Sequence, residues 1–413
     1  MIEREIPCLG LRRVRKCLSV LEHPEKKLKF IHILGTNGKG STAIFFEAAL
    51  RGMGYSVGTY TSPHLIEERE RVRINGEKIS PGNYLKARKR IEYLMKKESL
   101  QLSYFEKRTM MALLIFKEFE PDWIVWEAGL GGRLDAPSAV KPELTVFTSI
   151  GMDHMEYLGN TIEKIVREKA SAMKKAVPAV TANRGIALSL LRKEARRKVL
   201  PFFAVGDEIK IRKEKKRWTL YFGEEDRSFS FAGLGLEGDF QTENASLALS
   251  GLLILERSGK IGRMPQNILK SWEKVSWPGR FQRFIVRGKK VIVDGGHNPS
   301  AGKAFSRNVS GRNNLLILAM SREKDVRGYF KAVEDKFAII IFSQSSSWRS
   351  LKAEELYRRS GLRKGKKYMI IPDLKRAVTA ALKTPSKRIY IAGSLFAAGD
   401  ALRFLRREYG CRI

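Results

Sequence analysis

A chain of 413 residues with 43% hydrophobic residues is long and apolar enough for two or three packed domains, which excludes a disordered chain. No apolar run reaches the ~18 residues of a bilayer span, and the N-terminal MIEREIPCLGLRRVRK lacks an apolar stretch followed by a small-residue cleavage site. Three cysteines, Cys8, Cys17 and Cys411, form no CxxC and cannot all pair, so reduced thiols in a cytoplasm are expected.

The formal net charge of +34 is the unusual quantity. The excess is shared along the chain, with no basic tail or low-complexity block. Its longest cluster, 210-KIRKEKKRW-218, alternates with apolar residues as a solvated hairpin does. Nucleic-acid binding would need a localised stripe and is not expected. A field that draws in small anionic substrates fits better, and a compositional bias of the host fits better still.

In chain order, 28-LKFIHIL-34 reads as a strand, followed by a glycine-rich turn and a helix from about Ser41. The runs 122-DWIVWE-127 and 144-LTVFTSI-150 are further short apolar strands separated by helical patterns, the rhythm of a parallel sheet. A helix follows over 162-IEKIVREKASAM-173, with Thr161 as its cap. Residues 200–233 change character to short alternating strands between charged turns, predicting an antiparallel patch. The helix 242-TENASLALSGLLILERSG-259 precedes a hinge at 276-SWPGRFQ-282. The α/β rhythm then restarts with 291-VIVDGG, 315-LLILAM, 337-FAIIIF, 368-YMIIP and 389-IYIAGS. The fold class is α/β: a first α/β domain over 1–277 carrying the β patch, then a Rossmann-like α/β domain over 278–413.

The turn between the first strand and its helix, 35-GTNGKGST-42, concentrates the chemistry. A helix N-terminus offers unpaired N–H groups and the positive end of a dipole. Glycines let the backbone wrap a phosphate chain, and Lys39 adds a point charge. Ser41 and Thr42 offer hydroxyls to Mg²⁺. The spacing is shorter than GxxxxGK[ST], with Gly40 between Lys39 and Ser41.

This short loop resembles that of the Mur-ligase-type ATP-dependent amide ligases. The neighbouring 10-GLRRVRKCL, 61-TSPHL, 69-RERVRING, 104-YFEKRT, 127-EAGLGGRLDA, 151-GMDHMEYLGNTIEKIVREKA, 277-WPGRFQ, 294-DGGHNPSA and 393-GSLFAAG narrow the resemblance to the folylpolyglutamate synthase/dihydrofolate synthase family. The resemblance implies an ATP- and Mg²⁺-dependent ligase that joins L-glutamate to a folate or dihydropteroate carboxylate through an acyl phosphate. Beside it stand the expectations of a monomer, with neither membrane nor nucleic acid as partner. There are two alternatives to this ligase: a ligase of the same architecture for another carboxylate, and a P-loop NTPase that binds nucleic acid.

The resemblance further implies nucleotide contacts at Thr36, Asn37, Gly38, Lys39, Gly40, Ser41, Thr42, Asn244, Arg280 and Asp294. It implies metal ligation by Ser62, Glu127 and His154, with Ser41 at a second ion. Lys39, Lys169 and His297 become the catalytic candidates, with Lys169 matching a lysine that CO₂ carbamylates in the family. A solvated helix lysine is the plain alternative for Lys169, and a helix N-cap the alternative for Asn244. Substrate-lining positions are Ser103, Tyr104, Phe105, Glu106, Leu134, Asp135 and Ala136, although Tyr104 and Phe105 also fit as core aromatics. Two departures stand out: Gly296 replaces the alanine of DGAHNP, and 134-LDAPS-138 replaces LDATN, so that Pro137 brings neither backbone donor nor hydroxyl.

Overall fold

The computed structural model describes residues 10–214, 217–222, 228–231, 233–363 and 365–412. Cys8, the expected N-terminal segment and the centre of the 210–218 cluster lie outside the described residues. Among these residues no helix is long and apolar enough to cross a membrane.

The chain divides into two compact units. The first comprises residues 1–151, 158–235 and 242–275; the second comprises 152–157, 236–241 and 276–413. In the first, an eight-stranded sheet is built on Phe30–Leu34, Trp123–Glu127 and Leu144–Phe147, with Phe30–Leu34 central and parallel to both neighbours. All three strands are buried along their whole length, which is why they read as continuous apolar runs. Val57–Tyr60 extends the sheet on one side, followed by the antiparallel strands Val72–Ile74 and Glu77–Lys78. Ala179–Thr181 and Phe202–Ala204 extend it on the other. The strand at 202–204 therefore belongs to the main sheet, and the antiparallel patch begins later, as Ile209–Glu214, Arg217–Phe222 and Ser228–Phe231.

One face of this sheet buries Phe30, Tyr60, Ile124 and Trp126 against Val14, Cys17, Met110, Met111 and Phe116. Burial of this kind stabilises by roughly 25 cal/mol per Å² of apolar surface. It fixes the strand ends from which the site residues project.

The second unit is a six-stranded sheet. Gln282–Val286 pairs antiparallel with Lys289–Val293, and Arg388–Ala392, Leu315–Leu318, Ile339–Gln344 and Lys367–Asp373 then run parallel. Its core gathers Phe305, Tyr329, Phe330, Phe337, Phe342 and Tyr390. Each strand predicted from apolar periodicity is present here: four are short and largely buried, while the edge strand Lys367–Asp373 is exposed at both ends and half-buried between them.

Candidate active site

The strand Phe30–Leu34 ends at Gly35, and the helix Lys39–Gly52 opens behind Gly38. Backbone N–H groups of Thr36 and Asn37 both donate to the Ser149 carbonyl, at 2.8 and 3.1 Å, and the Thr36 hydroxyl donates to the Gly151 carbonyl at 3.1 Å. The loop is thus pinned to the end of the neighbouring strand. Two glycines are required by geometry. Gly38 has φ +88°, and a Cβ there would lie 2.3 Å from Asn244 Oδ1; one on Gly35 would lie 1.9 Å from Thr148 Oγ1. The result is a helix N-terminus with bare backbone around it, an arrangement that suits a phosphate group.

Asn244 lies inside the helix Asp239–Arg257, beyond its first turn, so the N-cap alternative fails. Its Oδ1 accepts from Thr42 Oγ1 at 3.5 Å. Asn244, Thr148, Asn183, Ile162, Ile186 and Leu247 are among the residues lining a cavity of about 440 Å³. Apolar walls with a few amides suit a flat heterocycle.

Charged groups collect beneath the loop. Lys39 Nζ stands 3.7 Å from Glu127 Oε1. Glu127, only 4% exposed, ends the strand Trp123–Glu127, and its Oε2 accepts from the Ser62 N–H at 3.1 Å. Lys169, buried at the end of the helix Ile162–Ala170, donates from Nζ to the Gly35 carbonyl at 2.9 Å. That burial removes the solvated-lysine alternative. Asp135 is also buried; its carboxylate accepts from the N–H groups of Gly129 and Leu130 at 2.8 and 3.3 Å. Burial raises its pKa to about 7, against those two N–H groups and the charges of Lys169 and Lys39.

Among the described residues, no group of three or more His, Cys, Asp and Glu side chains could hold a metal ion. Mg²⁺ does not require one, since it keeps waters and takes one or two carboxylates with substrate phosphates. Ser62 and Glu127 offer that hard-oxygen chemistry side by side in the first unit, with buried Ser41 in the helix that follows the loop. His154 is carried by residues 152–157 of the second unit.

Ser103 caps the helix Tyr104–Phe119 in a reciprocal box with Glu106. The Glu106 carboxylate is engaged twice over: it accepts from the Ser103 N–H at 2.7 Å and from Arg13 Nε and Nη2 at 3.1 and 2.9 Å. Arg13 escaped the sequence reading because its partner lies 93 positions away. Tyr104 donates its hydroxyl to Glu68 at 2.5 Å, and its ring lies 4.4 Å from the Arg108 guanidinium. Burial works to raise the pKa of Glu68, but bonds from Arg108, Tyr104 and Tyr84 outweigh it and bring the value to about 2. Phe105 packs on Gly129, where a Cβ would meet its ring at 2.2 Å. The Leu134 carbonyl accepts from the Gly10 N–H at 3.2 Å, and Ala136 opens a buried turn at Ala136–Ala139.

In the second unit, Asp294 ties two loops together, accepting from the N–H groups of Phe281 and Gly296 at 3.0 and 2.8 Å. Burial raises its pKa, and Arg280 opposes the shift. A Cβ on Gly296 would stand 2.8 Å from Asp294 Oδ1, so glycine suits this tight turn. His297 Nδ1 faces the Gly295 carbonyl at 3.0 Å, and Nε2 faces Asp153 Oδ2 at 3.4 Å. Asp153 and its partners Lys324 and Asn298 were missed as site residues, although GMDHM was itself singled out. Burial pushes the Asp153 carboxyl up, but His297, Lys324 and His154 hold it well below the usual carboxylate range.

Residues 33–251 match the Mur ligase middle domain, and residues 279–395 match the Mur ligase glutamate ligase domain. The dihydrofolate synthase/folylpolyglutamate synthase of Bacillus subtilis is 34% identical over 411 residues, covering 96% of this chain and 95% of the relative. The chain belongs to the folylpolyglutamate synthase/dihydrofolate synthase family. The Escherichia coli family member crystallised with DHPP and ADP superposes with a TM-score of 0.85 at 26% identity, covering 98% of this chain and 95% of that one. A bifunctional family member bound to Mn, AMPPNP and L-glutamate gives 0.86 at 28% identity, covering 98% and 96%. The α/β architecture of the Mur ligase middle and C-terminal domains expected from the sequence is the one observed.

Proposed function

We propose that this chain is a cytoplasmic ATP-dependent ligase that joins L-glutamate to a folate or dihydropteroate carboxylate through an acyl phosphate. The observation that carries the reading is the first unit's phosphate cradle, with Lys39 paired to buried Glu127 and Lys169 bonded to the Gly35 carbonyl. Family relatives bound to ADP, DHPP, Mn, AMPPNP and L-glutamate support it.

A carboxylate is a poor electrophile. Moving the γ-phosphoryl group of ATP onto it creates an acyl phosphate; the glutamate amine then attacks the carbonyl carbon, phosphate leaves, and the amine loses a proton. The protein's work is positioning and charge stabilisation. Lys39 and the backbone N–H groups of Gly38 to Ser41 would hold the phosphates. Asn244 and the cavity beside it would take the adenine, and Arg280 and Asp294 the nucleotide from the second unit. Ser62 and Glu127, with Ser41 and His154, would hold Mg²⁺, which neutralises charge on the phosphate oxygens when bound.

Lys169 is the proposed carbamylation position. Its neutral amine adds to CO₂ with release of a proton, and the carbamate replaces a buried cation by an anion. Its burial beside the loop supports this reading. Depleting CO₂ lowers turnover and bicarbonate restores it; indifference to both would remove carbamylation from the account.

ADP release that requires both glutamate and a pteroate, with a product heavier by one glutamate residue, tests the ligase reading. Dihydropteroate and tetrahydrofolate as separate acceptors tell the two family activities apart. Lys39→Ala and Glu127→Ala are expected to lower turnover by at least about a hundredfold with unchanged circular dichroism. Wild-type turnover in either variant would contradict the site.

A further inference from the structure

Residues 152–157 are a short segment that packs with the second unit, although the chain on both sides of it belongs to the first. One side chain dominates its attachment. Asp153, 9% exposed, accepts from Lys324 Nζ at 2.6 Å and from the His154 backbone N–H at 2.9 Å through Oδ1. Through Oδ2 it accepts from Asn298 Nδ2 at 3.0 Å and meets His297 Nε2 at 3.4 Å.

Its partners come from two loops. His297 and Asn298 follow the strand Lys289–Val293, and Lys324 follows Leu315–Leu318. Both loops leave the carboxyl ends of strands in one sheet, the edge at which open α/β sheets bind ligands. Asn298 is fixed in turn, because its Oδ1 caps the helix Pro299–Asn308 through the Ala301 N–H at 2.9 Å. Asp325, next to Lys324, caps the helix Val326–Val333 through the Gly328 N–H. Asp153 thus clasps two rigid helix starts and orders three groups at once: the His154 backbone, the His297 ring and the Lys324 ammonium. A solvated loop needs no such convergence.

We propose that Asp153 is a positioning residue of the ligase reaction, fixing His154 and His297 in their working orientations and holding Lys324 beside them. The inference rests on the ligase reading, in which His154 is a metal ligand and His297 a catalytic group. Asp153 itself acts through its neighbours.

Asp153→Asn keeps the shape and removes the charge that gathers these donors. In the full-length enzyme, kcat is expected to fall roughly 10–100-fold, and Mn²⁺ affinity measured with AMPPNP in the absence of turnover to weaken severalfold, while the thermal midpoint stays near that of the wild type. Lys324→Gln, which removes one donor and leaves the carboxylate, should give a smaller fall in kcat with wild-type Mn²⁺ affinity. This second variant decides the matter if the first does not fold. Wild-type kcat and Mn²⁺ affinity in Asp153→Asn, or activity lost only in proportion to the folded fraction in both variants, would overturn the proposal. If the wild-type enzyme makes no glutamylated product, the ligase reading falls by itself; the Mn²⁺ measurement then still shows whether Asp153 organises His154.

Discussion

His32 sits in the strand that feeds the phosphate loop, fully buried, with neither ring nitrogen hydrogen-bonded among the described residues. Burial, helped by the charge of Lys174, lowers its pKa to about 3. Asp135 is its opposite, raised by burial to about 7. Between about pH 4 and pH 6.5 the unfolded chain carries the His32 proton and lacks the Asp135 proton, and the folded chain does the reverse. The two linkages oppose each other. His32 makes stability fall as the pH drops through this window, and Asp135 makes it fall as the pH rises. Each is worth about 1 kcal/mol per pH unit. His32→Val should therefore gain on the wild type toward pH 4, and Asp135→Asn should gain toward pH 6.5. Urea unfolding across the window reads both; curves parallel to the wild type would contradict the burial argument.

The same scale shows what a sequence discloses about a site. Lys39, Glu127 and Lys169 stand beside recognisable punctuation: a glycine turn, the end of an apolar strand, a capped helix. The structure gathers them in one unit. Arg13 and Asp153 lie inside motifs that were singled out, 10-GLRRVRKCL and 151-GMDHM, yet neither was assigned a part. Their parts are set by partners 93 and 171 positions away, Glu106 and Lys324, and periodicity carries no information about such pairs.

At the scale of elements, the phosphate loop is held by contact rather than by its own hydrogen bonds alone. Gly38 lets Asn244 approach the loop, so the helix Asp239–Arg257 is docked on the cradle through a missing Cβ. Gly38→Ala combines a left-handed φ with a clash against Asn244. It is expected to weaken AMPPNP binding by at least about tenfold in calorimetry, since αL strain and a displaced neighbour each cost ~1 kcal/mol or more. Unchanged affinity would show that the approach is incidental. A second docking joins the helix Arg12–Val20 to the start of Tyr104–Phe119 through Arg13 and Glu106. Arg13→Ala leaves a buried carboxylate with a single N–H donor, and a loss of roughly 1–3 kcal/mol in urea unfolding is expected; a loss within error would mean solvent replaces the guanidinium without cost. Strands and helices were legible because short buried runs and amphipathic periods are local. The edge of the antiparallel patch was not, since 202–204 joins the main sheet by pairing with Ala179–Thr181, a distant choice.

At the scale of the whole molecule, the proposed site residues are distributed over two compact units. The first holds the cradle, the cavity and the carboxylates suited to a divalent cation; the second holds Arg280, Asp294, His297 and the Asp153 clasp. The central claim is that the γ-phosphoryl group passes onto the acceptor's carboxylate before the amide forms. Turnover of a pteroate labelled with heavy oxygen in its carboxylate, with ATP, Mg²⁺ and L-glutamate, tests this most directly. The account predicts one heavy oxygen in each inorganic phosphate released, in step with glutamylated product. Phosphate free of label, at a rate matching product formation, would contradict it.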